Sequence, residues 1–300
     1  MQLETLKTFA DLAETASFSK AAQRNNISQS AVSQQIRSLE KRFRTKLIER
    51  GRRNFAITAA GHALLLTSND ILQSLQSLSD RINDLRDIVA GPLRISAVYT
   101  IGLHELPRYL KAFERQHREV ELQVNYRRSG QVYADVGAGL ADLGLVAYPS
   151  KRRGLAAEVF RREKMVLICH PQHRLARRKR VRLRQLENEK FIAFGPDLPT
   201  RKAIDRLLHE QAIAVRRVME FDNIETVKRA VEIENGVSLV PATTVSDECR
   251  AGTLVAIQVH EPVLWRPLGI ITRANRAASP AQREFVALLK AGLESKSARS

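Results

Sequence analysis

The stretch from Phe18 to Phe43, FSKAAQRNNISQSAVSQQIRSLEKRF, constrains the fold more than any other part of the chain. Ser19–Arg24 reads as a short helix, in which Ala21 and Ala22 are small enough to let a second helix cross closely. Asn25-Asn26 makes the turn. Asn26 can stand where a turn glycine would otherwise sit, because Asn tolerates left-handed backbone better than other non-glycine residues. Ser28 is a good N-cap for a longer helix whose apolar positions Val32, Ile36, Leu39 and Phe43 recur at helical spacing. The opposite face carries Gln29, Ser30, Ser33, Gln34 and Arg37. These short polar and amide side chains, with one guanidinium, can meet base edges and phosphates. The pattern predicts a helix-turn-helix with Ser28–Phe43 as recognition helix; an ordinary two-helix corner with a solvated polar face is the plain alternative.

The flanking residues favour the first reading. Leu3 to Thr15 is an amphipathic helix, with Leu3, Leu6, Phe9, Ala10 and Ala13 on one stripe, able to pack behind the other two. After Phe43 comes RTKLIERGRRNFAIT, where Leu47-Ile48 and Phe55-Ala56-Ile57 flank a turn at Gly51. That is a small hairpin, a wing, whose tip carries Arg50, Arg52 and Arg53. Arginines there would hold phosphate or enter a minor groove, fixing register without reading much sequence. A solvated basic turn is the alternative.

Thr58 caps the next element, and no proline follows for some thirty residues. Leu64, Ile71, Leu75, Leu78, Ile82, Leu85 and Val89 form a seam, in alternating steps of four and three from Ile71 onward, a heptad spacing that predicts a helix paired with another chain. A groove-reading module needs such a dimer to engage two half-sites at fixed separation. Gly91-Pro92 ends the helix.

From Leu93 the pattern alternates. LRISAVY, VELQVNY, DLGLVAY, EKMVLIC, KFIAF, RRVMEF, GVSLVP and LGIITR are strand-like. Leu103–Gln116, Gln131–Ala138, Pro199–Gln211, Ile224–Glu234 and Pro280–Leu293 are helical. This order predicts an α/β fold with parallel sheets, in two lobes around a cleft. In open sheets of this kind ligands sit at the carboxyl ends of strands, against helix N-termini.

Three hundred residues suffice for two or three domains. The formal charge of +17 points toward a polyanion, but its placement matters more than its size. Residues 1–60 hold eleven Lys and Arg against five Asp and Glu, whereas residues 61–90 hold two against four. There is no apolar run of membrane-span length and no charged-then-apolar leader, which predicts a cytoplasmic protein with no membrane partner. Cys169 and Cys249 lie far apart in a strand-like and a helix-like context, which is neither a disulfide scaffold nor a metal spacing, and they read as buried thiols. No Gly-rich phosphate loop, HExxH or GxSxG motif is present, so no enzyme, no cofactor and no metal are expected.

The segment from Leu3 to Gly61 resembles the DNA-binding domain of LysR-type transcriptional regulators. The resemblance rests on Phe18-Ser19-x-Ala21-Ala22, Ile27-Ser28-Gln29-Ser30-Ala31-Val32-Ser33-x-Gln35-Ile36, Leu39-Glu40, Leu47-Ile48-x-Arg50, Arg53, Ile57-Thr58 and Ala60-Gly61. The rest of the chain is similar to that family in layout. The resemblance implies a winged helix-turn-helix over residues 1–60, a linker dimerisation helix over 61–90 and an effector-binding domain of periplasmic-binding-protein type over 91–300. Its lobes would be about 91–162 plus 268–300, and about 163–267. It further implies a homotetramer that binds interrupted inverted repeats of double-stranded DNA near promoters and responds to a small metabolite. Two positions depart from the family pattern: Arg44 stands where Gly is common, and Ile48 where Phe is common. A non-glycine residue in left-handed backbone costs roughly 1 kcal/mol, so the helix end is open to a different shape.

Carried over by position, the family's cleft falls at Thr100, Ser129 and Tyr148 on one side and at Thr200, Arg201 and Asp222-Asn223 on the other. Helix N-termini with hydroxyls favour an anionic guest, and Arg201 would add a bidentate clamp. Each of these Ser, Thr, Asn and Asp residues is also simply a good N-cap. Asp222, with Glu225 and Glu234 nearby, leaves the ligand's charge open. The basic runs His173 to Arg184 and Lys151-Arg152-Arg153 read as solvated surface loops. The competing function is a two-lobed solute-binding protein or enzyme whose N-terminal helices serve only oligomerisation.

Overall fold

Helix α1 (Leu3–Thr15) packs against α2 (Phe18–Arg24) and α3 (Gln29–Phe43), and these three close a small core. Residues 2–50, 55–86, 88–260 and 262–292 are described by the computed structural model, in two compact units divided near residue 88. Phe9, Leu12, Ala21, Val32, Ile36, Leu39 and Leu47 fill the first core. Leu12 takes the place on the buried stripe that Leu3, which is exposed, was expected to hold. Asn26 adopts the left-handed conformation (φ 53°) that its position in the turn predicts. Arg44 does so as well (φ 52°), so α3 ends in the left-handed cap without the glycine, its N–H reaching the Glu40 and Lys41 carbonyls.

Strands β1 (Ile48–Arg50) and β2 (Phe55–Ile57) pair antiparallel, Ile48 opposite Ile57. Arg52 and Arg53 lie outside the described residues, and so does the side chain of Arg50. The hairpin is tied to α3 by Glu40, whose carboxylate accepts from Leu47 N–H at 3.1 Å and from Lys46 Nζ at 3.3 Å. Thr58 Oγ1 donates to the Lys46 carbonyl (2.7 Å) and accepts from Gly61 N–H (3.0 Å), capping α4 (Ala59–Asp84). A Cβ on Gly61 would stand 2.1 Å from the Leu47 carbonyl oxygen, so only glycine fits. Leu64 and Leu65 of α4 belong to the core beneath, whereas Leu75, Leu78, Ile82 and Leu85 are exposed. The apolar seam is therefore shorter than its heptad spacing suggests. Its first member is claimed by the helix-turn-helix core, and Val89 packs in the second unit.

The second unit opens with β3 (Gly91–Val98), α5 (Tyr99–His104), α6 (Leu106–Gln116), β4 (Val120–Arg127), α7 (Ser129–Gly137) and β5 (Leu143–Ala147). The single helix expected over Leu103–Gln116 is broken at Glu105. Pro107, in the first turn of α6, has no N–H to give the Leu103 carbonyl, so the helical ladder is interrupted there. Next come β6 (Leu155–Cys169), β7 (Arg180–Val181), β8 (Lys190–Phe194), α8 (Pro199–Glu210), β9 (Arg216–Phe221) and α9 (Ile224–Glu232). The unit closes with β10 (Ser238–Pro241), α10 (Ser246–Ala251), β11 (Val255–Val259), β12 (Trp265–Arg273) and α11 (Pro280–Ala291).

The large sheet is mixed rather than parallel. β3 runs parallel to β4 and β5, and β8 to β9, as the strand–helix–strand order predicts. The returning strand β12, however, lies antiparallel to β5 and β6, and β6 lies antiparallel to β10 and β11. Two cores result. Leu93, Ile95, Tyr109, Phe113, Leu145, Ile270 and Phe285 belong to one, and Leu167, Ile192, Ile204, Val227, Val240 and Ile257 to the other. β6 passes from the first to the second: residues 155–164 pair with β12, and residues 165–169 with β10 and β11.

Candidate functional site

The outer face of α3 is polar and open. Gln29, Ser30, Gln34 and Arg37 are exposed and Ser33 is half-buried, while the opposite face is closed by Val32, Ile36 and Leu39. Ser30, Gln34, Arg37 and Lys41 follow one another at steps of four, three and four, so they share a line along the helix. Ser28 differs from the rest. Its Oγ accepts the Ala31 N–H at 3.1 Å and lies 2.8 Å from the Ser30 hydroxyl, so it holds the helix start before it can meet DNA. Gln29 Oε1 takes a long bond from Ser19 Oγ (3.4 Å), which orients that amide from α2.

In the second unit a cavity of about 650 Å³, its open mouth included, lies between the two cores. Thr100, Ser129, Thr200 and Asn223 all line it, from the starts of α5, α7 and α8 and the position just before α9. Tyr148 and Arg201 do not line it. Arg201, 7% exposed, is consumed within its own lobe: Nε donates to Asp205 at 2.7 Å, and Nη1 to Glu220 at 2.8 Å and to the Phe194 carbonyl at 2.6 Å. The clamp expected of it is instead a brace of α8 onto β8 and β9. Tyr148 sits in left-handed backbone (φ 52°) with its hydroxyl buried and unpartnered, and burial pushes its phenol up to about 12.

Of the four hydroxyl and amide residues, only Asn223 is a cap, accepting Glu225 N–H at 2.8 Å. Thr100 Oγ1 instead accepts from Arg266 Nη2 at 2.5 Å. Arg266 lines the cavity and was not foreseen, because a lone arginine in a strand-like apolar run carries no spacing signal. Its Nη1 meets Glu163 Oε2 at 2.5 Å, and Thr243 Oγ1 donates to the other oxygen of that carboxylate at 2.9 Å. Arg127 and Arg128 also line the cavity, the first 3.5 Å from Asp135 and the second 2.6 Å from Asp222. Three guanidiniums thus stand in the wall with one carboxylate, Asp222.

The two cysteines expected to be buried thiols differ. Cys169 is buried and burial pushes its thiol up to about 11, whereas Cys249 is exposed. His170 pairs with Glu234 (2.8 Å), and no three His, Cys, Asp or Glu residues are grouped to hold a metal among the described residues. Arg174 in the basic run engages Glu189. No helix among the described residues is long and apolar enough to cross a membrane.

Family models match both parts of the chain. Residues 3–62 match the family model of the bacterial regulatory helix-turn-helix protein, lysR family, and residues 86–294 match the LysR substrate binding domain. The "Probable RuBisCO transcriptional regulator" of Chlorokybus atmophyticus is 30% identical over 289 residues, covering 94% of this chain and 92% of that one. The RuBisCO operon transcriptional regulator of Allochromatium vinosum is 29% identical, covering 95% of each. Among solved structures, a full-length OxyR variant from Pseudomonas aeruginosa aligns with a TM-score of 0.77 at 21% identity, over 97% of this chain and 94% of that one. CbnR bound to its target DNA aligns with a TM-score of 0.69 at 21% identity, over 96% and 98%. The chain belongs to the LysR family of transcriptional regulators, with its helix-turn-helix in the N-terminal unit and its substrate-binding domain in the second.

Proposed function

We propose that this regulator reads duplex DNA with Gln29, Ser30, Ser33, Gln34 and Arg37 of α3, anchors on phosphate through Arg50, Arg52 and Arg53, and pairs two chains along Leu75, Leu78, Ile82 and Leu85. In this reading residues 1–60, 61–90 and 91–300 are the DNA-binding, linker and effector domains. The dimer doubles to a tetramer on an interrupted inverted repeat, the protein works in the cytoplasm, and it catalyses no reaction. The solved complex of CbnR with its target DNA supports the first part.

The effector is a small anion held in the cleft by Thr100, Ser129, Thr200 and Asn223. The observation that carries this is the wall itself: the starts of four helices meet there, beside Arg128, whose exposed guanidinium is held, among the described residues, only by the exposed Asp222 of the same wall. Amide N–H groups at helix starts and guanidiniums both favour negative charge. The regulatory domain of Synechocystis CcmR, of the same fold (TM-score 0.61 at 24% identity, over 67% of this chain and 96% of that one), was solved with 2-PG, which is in keeping with an anionic guest. The test is a footprint with and without small anions. A protected dyad-symmetric site whose affinity falls steeply with salt, and whose pattern changes with an anion, is expected. Binding without sequence preference would sink the DNA assignment.

A further inference from the structure

Each arginine in the cavity wall has a carboxylate partner, but the three partners differ in where they stand. Arg127 is held by Asp135 of α7, and Arg266 by Glu163 of the adjacent strand; neither acid lines the cavity. Arg128 is held by Asp222, which does line it. Arg128 follows β4, whose edge belongs to the first core, whereas Asp222 joins β9 to α9 in the second. Their 2.6 Å contact therefore spans the cleft, and both side chains are well exposed, at 63% and 59%. Deeper in the wall, Arg266 keeps one buried N–H, on Nε, without an acceptor.

We propose that Arg128 receives the acidic group of the effector and that Asp222 occupies that place in the free protein. A carboxylate on a guanidinium at hydrogen-bond distance is the arrangement an anionic ligand would make, here supplied by the protein from the opposite lobe. The inference rests on the anionic-effector reading and adds a residue and a competition to it. Entry of the ligand must break the cross-cleft pair, so the internal carboxylate sets a threshold. Monovalent, weakly coordinating anions compete with it poorly, and dianions such as phosphate esters or dicarboxylates compete better. Exposed pairs of this kind hold loosely, which makes the exchange accessible.

The experiment is calorimetric titration of the full-length protein with succinate and with inorganic phosphate, succinamide serving as neutral control. Asp222→Asn is expected to tighten dianion binding by up to about fivefold, the most that an exposed pair is worth. Arg128→Gln is expected to weaken binding, and in that background Asp222→Asn should bring no gain. Both side chains are exposed, so the variants fold. An equal gain in the Arg128→Gln background would mean that Asp222 acts only through general charge, and would overturn the competition. If the parent protein binds a dianion and Asp222→Asn leaves the affinity unchanged, the competition falls while the anionic reading stands. If the parent and all variants ignore both dianions, the anionic reading falls and takes the competition with it.

Discussion

Arg266 and Glu163 are register partners on adjacent antiparallel strands, and their side chains, 3% and 2% exposed, meet at 2.5 Å at the point where β6 passes between the two cores. A buried pair of this kind is strongly destabilised when one member is lost, because the other is left charged and unpaired. Glu163→Gln or Arg266→Leu is expected to cost about 3–5 kcal/mol, and the double replacement by leucine much less. Urea denaturation monitored by circular dichroism checks it. Additive losses in the double variant would refute the account.

Ser28 and Gln34 should separate stability from recognition. Ser28→Ala removes the cap bond to Ala31 N–H and is expected to cost about 1 kcal/mol of stability. Gln34→Ala touches nothing in the core and should leave stability unchanged. Its expected effect is to reduce discrimination between cognate and random duplex by about 1–3 kcal/mol. Equal loss on both duplexes in a competition assay would exclude Gln34 from base reading.

Gly61→Ala forces a methyl against the Leu47 carbonyl oxygen and Ile57 Cγ2. A shift of the hairpin against α4 should follow, with a loss of about 1–3 kcal/mol. A thermal melt equal to that of the parent would show that the backbone yields without strain.

Along α4, Ile82→Asp places a charge on the exposed apolar row. The dimer should dissociate at concentrations where the parent protein is paired, read by sedimentation. An unchanged sedimentation coefficient would place the pairing surface elsewhere.

Glu105 gives a pH signature. Burial, reinforced by the nearby Glu163, holds its carboxyl above the ordinary value despite its contacts with Arg108 and Arg161. The folded chain then keeps a proton that the unfolded chain has released, so this group favours folding at low pH. That advantage is lost as pH rises from the ordinary glutamate value to the folded one. Glu105→Gln should therefore gain stability relative to the parent across that rise. The reverse slope in melts between about pH 4 and pH 7 would contradict it.

Much of this was readable from residues alone. The α1–α3 pattern, the Ser28 cap, the left-handed Asn26 and the placement of Thr100, Ser129, Thr200 and Asn223 on one cavity all follow from local spacing or resemblance. What escaped is non-local. Glu163 and Arg266 are brought together by strand pairing across 103 positions, which no local period records. The antiparallel course of β6 and β12 was hidden for the same reason. Arg201 sits at the start of a helix, where a clamp is expected, but its side chain folds back onto Glu220 and Asp205. Rotamer choice of that kind is set by packing.

β6 and β12 also bear on how a bound metabolite could be felt elsewhere. Because the two lobes share hydrogen-bonded strands rather than a loose tether, they resist swinging apart as free halves would. The soft deformation of a shared ribbon is torsion. Ligand entry should therefore register as a slight wringing of that ribbon, small in amplitude and stiffly transmitted along its length.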